Sequence, residues 1–267
     1  MAAGRRERLQ VGLDPGSASG VGRRDRKAAG NGHVAARLAP AQGYDRRVEG
    51  TAYDRIAEWY SGAFRPSLSA SEASAVERLL GPGDGRCLDI GCGTGVAAPV
   101  VAALGWTVIG VDVSERLLDI ARSRGIDVVN APAEALPFED ASFDSAVSIW
   151  THTDVQDFGA AMRAAARVLR SGAPFVYVGG HPCFVGPHSR FVGAEGVPVL
   201  HPGYRRAERY QGGPAISPEG LRAKVGAMHL PLGRFLQAFL EAGLRIERFE
   251  ELEEREYPYL VALLCRR

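Results

Sequence analysis

The sequence has no run of about 18 consecutive apolar residues, the length that a helix needs to cross a bilayer. Only four cysteines occur in 267 residues, and no two of them form a CxxC pair. These absences argue against a membrane partner, a disulfide-stapled scaffold and a zinc ribbon. We therefore expect a cytoplasmic protein whose thiols are reduced and mostly buried.

The sequence also lacks a strong net charge, because 32 Arg and Lys residues against 31 Asp and Glu residues leave +1. That balance hides two unlike parts. Residues 1–43 hold eight basic and three acidic residues, a charge of +5, whereas residues 44–267 hold 24 and 28, a charge of −4. A folded part without a basic excess does not favour nucleic acid as a partner.

The segment 1–43 has few apolar residues and no periodic apolar face. Burial of so little apolar surface cannot offset the entropy of ordering the backbone. We predict a disordered N-terminal extension. The alternative is a basic arm that binds nucleic acid or an anionic surface.

Residues 44–267 are predicted to form one domain in which strands alternate with helices. Short Val-, Ile- and Leu-rich runs predict strands at 86–90, 107–112, 126–130, 142–149 and 174–179. Helical spacing predicts helices at 71–80, 96–104, 114–124, 158–169 and 232–242. This alternation is typical of an α/β fold, doubly wound around a mostly parallel sheet.

Two features end the regular alternation. The segment 180–230 is rich in proline and histidine and is predicted to be an insertion. Two final strand-like runs, 244–250 and 258–265, are joined by too few residues for a parallel crossover. The predicted sheet is therefore seven-stranded, with an antiparallel C-terminal strand.

A glycine loop follows the first predicted strand, in Cys87-Leu-Asp-Ile-Gly-Cys-Gly-Thr-Gly95. Asp112 ends the next strand 21 positions after Gly91, the place from which a carboxylate reaches ribose hydroxyls. The G-x-G-x-G spacing differs from the G-x-G-x-x-G of dinucleotide loops. Asp89, before the loop, would repel a pyrophosphate and attract an ammonium or sulfonium group. A tight turn without a ligand is the alternative.

The loop resembles the first motif of class I S-adenosylmethionine-dependent methyltransferases, the E/D-x-G-x-G type. The resemblance spans 51–179 and includes the small-molecule members of the ubiquinone/menaquinone type. It rests on Cys87–Gly95, on Val111-Asp-Val-Ser114, on Ala133-Glu-Ala-Leu-Pro-Phe138, on Ser142-Phe-Asp-Ser-Ala-Val147, on the helix 163–172 and on a lid segment, 53–60. It implies a Rossmann-like fold, S-adenosylmethionine as the cofactor, and an acceptor site that the insertion 180–230 covers.

The resemblance also implies roles for individual residues. The backbone at Gly91, Cys92 and Gly93 approaches the methionine part of the cofactor, and Asp89 helps to hold its amino group. Asp112 binds the ribose hydroxyls. Leu117 packs on the adenine, whose edge is read by the backbone at Ala133 and Glu134. The remaining implied cofactor contacts are Tyr53, Gly95, Val113 and Ile149. Pro132 departs from the family, which often has an acidic residue there.

Methyl transfer is an in-line displacement in which alignment supplies much of the rate. A hydroxyl or amine acceptor also favours a general base, and histidine is the usual one. His181 and His152 follow the fifth and fourth predicted strands, so we predict them as catalytic bases, His181 first. A metal site is not expected, because the histidines lack close ligand spacing.

The sequence thus predicts an enzyme that methylates a hydroxyl, amine or carbon of a small molecule, as a monomer or homodimer. A place in specialised metabolism is an analogy from the fold alone. Three alternatives stay open: an RNA or protein methyltransferase, a nicotinamide-dependent oxidoreductase, and a cofactor-binding protein without catalysis.

Overall fold

The structure is a computed structural model that describes residues 50–193, 196–252 and 256–267. The predicted disordered extension 1–43 lies outside the described residues. The helices are Ala57–Trp59 (α1), Ala70–Leu80 (α2), Ala98–Ala103 (α3), Glu115–Ser123 (α4), Phe158–Val168 (α5), Leu221–Val225 (α6) and Leu232–Glu241 (α7). The sheet strands are Arg86–Ile90 (β1), Thr107–Asp112 (β2), Asp127–Asn130 (β3), Ser145–Ile149 (β4), Pro174–Gly180 (β5), Arg245–Leu252 (β10) and Leu260–Arg266 (β11).

Three helices begin at side chains that accept hydrogen bonds from free backbone amides. Ser69 and Glu72 form a reciprocal capping box at the start of α2. The Ser114 side chain accepts from the Leu117 amide at the start of α4, and Asp157 accepts from the Ala160 amide at the start of α5. These caps explain why sequence patterns placed the helix starts correctly.

The seven strands form one sheet in the order β10-β11-β5-β4-β1-β2-β3. Every neighbouring pair from β5 to β3 is parallel. β11 runs antiparallel to both β5 and β10. The predicted α/β fold, with a mostly parallel seven-stranded sheet and an antiparallel C-terminal strand, is confirmed.

Alternate side chains of β5 enter two different cores, because successive residues of a strand point to opposite faces. Val176 and Val178 belong to a cluster that contains Val76 and Leu79 of α2. Phe175 and Tyr177 instead contact Phe239 of α7. Helices therefore cover both faces of the sheet, and the carboxyl ends of its parallel strands stay open for a site.

The described residues between β5 and α7 form two further strand pairs. Ser189–Val192 (β6) pairs with Val197–Leu200 (β7), and Glu208–Tyr210 (β8) pairs with Ala227–His229 (β9). The short helix α6 lies between the last two strands. Among the described residues, no helix combines the length and the apolar character that a bilayer span requires.

Candidate functional site

The glycine loop turns from β1 towards α3 at the open edge of the sheet. Gly91, Gly93 and Gly95 have backbone φ values of 72°, 54° and 75°, which residues other than glycine rarely adopt. The amides of Gly91 and Cys92 both donate to the Val111 carbonyl, at 2.8 and 3.0 Å. The loop is thereby fixed against β2, beside a cleft of about 780 Å³. We call it the cofactor cleft.

Asp112, at the end of β2, lies in this cofactor cleft and is bonded to the loop. Its Oδ2 accepts from the Gly93 amide and its Oδ1 from the Ser114 amide, both at 2.9 Å. Burial raises the pKa of its carboxyl to about 6, although the two amide donors oppose that shift. An acid at this position accepts hydrogen bonds from vicinal hydroxyls, as the ribose assignment requires.

Asp89 lies behind the loop and does not line the cleft. Its side chain is 2% exposed, and its Oδ2 has no hydrogen-bond partner in the described part of the chain. Burial first, and the nearby Asp112 charge second, raise the pKa of its carboxyl to about 7. A buried acid without a partner fits a cofactor that brings an ammonium group to the loop.

Most of the predicted cofactor contacts line this cleft. They are Tyr53, Gly91, Gly93, Asp112, Val113, Leu117, Ala133, Glu134 and Ile149. The Glu134 carboxylate itself is already occupied, because Oε1 accepts from the Gln156 amide at 3.0 Å. The predicted contact of Ala133 and Glu134 with a nucleobase stays a prediction.

The cleft lining does not include Cys92 or Gly95, two predicted contacts. The Cys92 sulfur packs against Gly110, where a Cβ would lie 2.6 Å from it. A Cβ on Gly95 would lie 2.1 Å from Cδ1 of Ile126. Both residues therefore make packing contacts in the loop, and their predicted contacts with a cofactor stay predictions.

A second cleft, of about 750 Å³, lies between the lid segment 53–60, the end of β4 and the segment 180–230. We call it the acceptor cleft. Eight aromatic side chains line it: Tyr53, Tyr60, Phe64, Trp150, Phe184, Phe191, Tyr210 and Tyr259. Apolar aromatic walls with a few polar groups are typical of small-molecule sites.

Four residues line both clefts: Tyr53, Tyr60, Trp150 and Asp154. We call them the junction. Asp154 is the carboxylate that both linings share among the described residues. Its Oδ1 accepts from the Tyr53 hydroxyl at 2.9 Å and from the Arg222 guanidinium at 2.8 Å. The carboxylate raises the already high pKa of Arg222 further, against the effect of burial.

The two histidines predicted as bases line neither cleft. His152 is 3% exposed, bonds to the Tyr177 hydroxyl and packs edge-on against Phe158 and Phe235. Burial lowers the pKa of its ring to about 3, so it stays neutral. In this structure His152 is a core residue packed among the rings of Phe158, Tyr177 and Phe235.

His181 is also occupied, at both ring nitrogens. Nδ1 accepts from the Cys183 amide at 3.1 Å, and Nε2 lies 3.0 Å from Oε1 of Glu251. Burial lowers the pKa of the ring, and the Glu251 hydrogen bond opposes that shift.

Among the described residues, no group of three or more His, Cys, Asp or Glu side chains is arranged to hold a metal.

Three functional candidates were missed by the sequence reasoning: Asp154, Arg222 and Glu72. Asp154 follows the end of a predicted strand, so its position in the sequence could have marked it as a candidate site residue. Arg222 lies in the irregular segment, where no periodicity marks a face. Glu72 carries the signature of a helix cap, which hides its further contacts.

Comparison with known proteins agrees with this geometry. Residues 88–177 match the family model described as a methyltransferase domain. Over 141 residues, the chain is 33% identical to a demethylmenaquinone methyltransferase of Tropheryma whipplei (strain Twist), covering 51% of this chain and 54% of the relative. An Aspergillus nomiae O-methyltransferase, rstn1, is 37% identical over 106 residues, covering 36% of this chain and 47% of the relative. The chain thus spans about half the length of the curated relatives it matches.

A solved structure extends the similarity beyond residues 88–177. The S-adenosylmethionine-dependent methyltransferase of Mesorhizobium loti superposes with a TM-score of 0.62 at 26% identity. The superposition covers 74% of this chain and 98% of that protein. The resemblance drawn from the glycine loop and Asp112 is therefore confirmed for residues 88–177, which match a methyltransferase domain, and for the fold.

Proposed function

We propose that this chain, which contains a class I S-adenosylmethionine-dependent methyltransferase domain, transfers a methyl group from S-adenosylmethionine to a small organic acceptor. The observation that carries the proposal is the junction, where a nucleoside-type cleft and an aromatic cleft share four residues. A methyl donor and an acceptor in these two clefts meet at Asp154 and Trp150. Such alignment is the main requirement of an in-line displacement.

The cofactor assignment follows the residues that line the first cleft. Asp112 holds the ribose hydroxyls, and Gly91 and Gly93 let the backbone approach the methionine part. Asp89 does not line the cleft, but the charge of its buried carboxylate favours an ammonium group at the loop, and its Oδ2 has no hydrogen-bond partner in the described residues. Ala133 and Glu134 meet the adenine through their backbone.

When bound, S-adenosylmethionine would supply a methyl carbon on a sulfonium, so that the acceptor's electron pair would form the new bond while the S–C pair would stay on sulfur. Oδ2 of Asp154, which accepts from the Thr153 hydroxyl at 2.9 Å, also accepts a hydrogen bond from a hydroxyl or amine acceptor, directs its lone pair at the junction and takes up the proton that the acceptor loses. The aromatic walls exclude water from the reacting atoms. Tyr53 and Arg222 hold the Asp154 carboxylate in place for this role.

Relatives favour a small-molecule acceptor over a macromolecule. Their names include a demethylmenaquinone methyltransferase and an O-methyltransferase. The charge of −4 on residues 44–267 also gives little support to an RNA substrate. A ring-bearing acceptor fits the eight aromatic side chains of the acceptor cleft.

Calorimetric titration with S-adenosylmethionine, S-adenosylhomocysteine and NADH tests the cofactor. We expect one-to-one binding of the first two and none of NADH. Binding of NADH alone overturns the proposal. Radiolabelled methyl transfer to catechol, 1,4-dihydroxynaphthalene and tryptamine then tests the acceptor class. We expect transfer to at least one of these compounds.

A further inference from the structure

Glu72 is a buried carboxylate that contacts three different parts of the chain. Its side chain is 3% exposed. Oε2 accepts from the Ser69 amide at 2.8 Å, which is the helix-capping contact. Oε1 accepts from the Arg65 guanidinium at 3.0 Å and from the Trp150 indole at 2.6 Å. A cap needs only the first contact, so the other two call for a separate explanation.

Both additional partners of Glu72 are walls of the acceptor cleft, whereas Glu72 itself does not line it. Arg65 follows the lid segment, and Trp150 follows β4 and belongs to the junction. One buried oxygen therefore fixes the relative position of two cleft walls that come from separate elements.

Trp150 needs such a fixed position. Its backbone has φ +67°, a left-handed conformation that a bulky side chain rarely adopts and that persists only when neighbours enforce it. A Cβ on Gly180 would lie 2.7 Å from Cζ3 of Trp150, so the ring occupies the space left by that glycine. The indole is held at its ring by Gly180 and at its N–H by Glu72.

The charge of Glu72 is suited to this role. Although burial raises the pKa of its carboxyl, the Arg65 charge and hydrogen bonds from Ser69 and Trp150 leave it below the ordinary value. The group is therefore ionised, and a charged acceptor forms stronger hydrogen bonds than a neutral one.

We propose that Glu72 is a positioning residue of the acceptor cleft: it sets the orientation of Trp150 and Arg65, and through them the affinity for the acceptor. The inference rests on the proposed function. It assigns to a helix-capping residue a second role in the recognition of the methyl acceptor.

The first experiment reports on Trp150 without any turnover. Replacing Trp59 and Trp106 by Phe leaves Trp150 as the sole tryptophan of the three. In that background, E72M removes both wall contacts, and E72Q keeps an acceptor oxygen without the charge. We expect acrylamide quenching of Trp150 to rise most in E72M and less in E72Q.

Ser69→Ala is the matched control, because it removes the Ser69 hydroxyl from the cap and leaves the Glu72 contacts with Arg65 and Trp150 intact. We expect its Trp150 quenching to equal that of the parent. Gly180→Ala displaces the ring directly and is expected to reproduce the E72M result. Equal quenching in Ser69→Ala and E72M overturns the inference, because the cap alone then explains Glu72.

The second experiment uses a panel of three acceptors, catechol, 1,4-dihydroxynaphthalene and tryptamine, and continues with a compound that the wild-type protein methylates. We expect E72M to raise the KM for that acceptor about ten-fold, with the Kd of S-adenosylmethionine changed less than about three-fold. An unchanged acceptor KM in E72M contradicts the inference. If the wild-type protein binds S-adenosylmethionine but methylates none of the three compounds, the result counts against the proposed acceptor class. In that case the quenching experiment alone tests whether Glu72 positions Trp150.

Discussion

The Arg222 guanidinium donates to Asp154 at 2.8 Å, although 68 positions separate the two residues in the sequence. The pair ties helix α6 of the segment 180–230 to the loop after β4. The Tyr53 hydroxyl adds the lid segment to the same carboxylate oxygen. Three distant segments therefore meet at one charged group beside both clefts.

Breaking this pair tests its contribution. Arg222→Met leaves a partly buried Asp154 without its cation, so we expect the free energy of unfolding to fall by about 2 kcal/mol. Arg245→Met is the matched control, since Arg245 is 73% exposed and pairs with Glu247 at the surface. A loss below about 0.5 kcal/mol is expected there. Urea denaturation measures both, and equal losses contradict the assignment.

Asp89 gives a pH dependence with a defined sign. The pKa of its carboxyl rises from 3.8 to about 7 on folding, so the folded protein binds more protons than the unfolded one between these values. The stability of the cofactor-free protein therefore falls as pH rises through this window. Asp112, with a raised pKa of about 6, acts in the same direction.

Asp89→Asn removes the larger of the two contributions. We expect the variant to be more stable than the parent at pH 8 by on the order of 2 kcal/mol, with a smaller change near pH 4. Thermal unfolding from pH 4 to 8 measures this difference. Asp127→Asn, at an exposed position, is the control and should follow the parent. If the stability of Asp89→Asn changes with pH in parallel with that of the parent, the assignment of this pH dependence to Asp89 is contradicted.

Gly95 tests whether the third loop glycine serves packing. Gly95→Ala combines φ +75° with a Cβ placed 2.1 Å from Cδ1 of Ile126, a side-chain end that must rotate away, so we expect a loss of about 1.5–2 kcal/mol. Gly125→Ala has φ +79° but open space around its Cβ, and a loss of about 1 kcal/mol is expected. Denaturant unfolding compares them. A smaller loss at Gly95 than at Gly125 argues against the packing role.

His181→Gln tests the correction to the predicted base. Because His181 lines neither cleft and both its ring nitrogens are bonded, we expect the turnover of a methylated panel compound to change less than about three-fold. Asp154→Asn, measured beside it, should lower turnover about 100-fold or more. A large loss in His181→Gln with little loss in Asp154→Asn restores the histidine.

The sequence predicted the fold correctly, and it predicted nine residues that line one cleft, because both depend on local patterns. Strand β1, its glycine loop and Asp112 lie within 27 residues of one another, and turn chemistry requires each residue type where it stands. The ends of α2 and α4 follow from their caps and from the glycines after them.

The acceptor cleft was predicted only in outline, because its polar contacts join residues far apart in sequence. Asp154 contacts Tyr53 across 101 positions, and Trp150 contacts Glu72 across 78. His152 shows the opposite error: its place after a strand suggested a catalytic base, whereas aromatic neighbours bury it. Position along the chain could not distinguish a side chain turned into the core from one turned into a cleft.

A crystal structure of the protein with S-adenosylhomocysteine tests the central claim most directly. The account predicts the ribose hydroxyls within hydrogen-bond distance of the Asp112 carboxylate and the sulfur facing the junction beside Asp154. A ligand bound outside the cofactor cleft, or one whose sulfur faces away from the acceptor cleft, contradicts it.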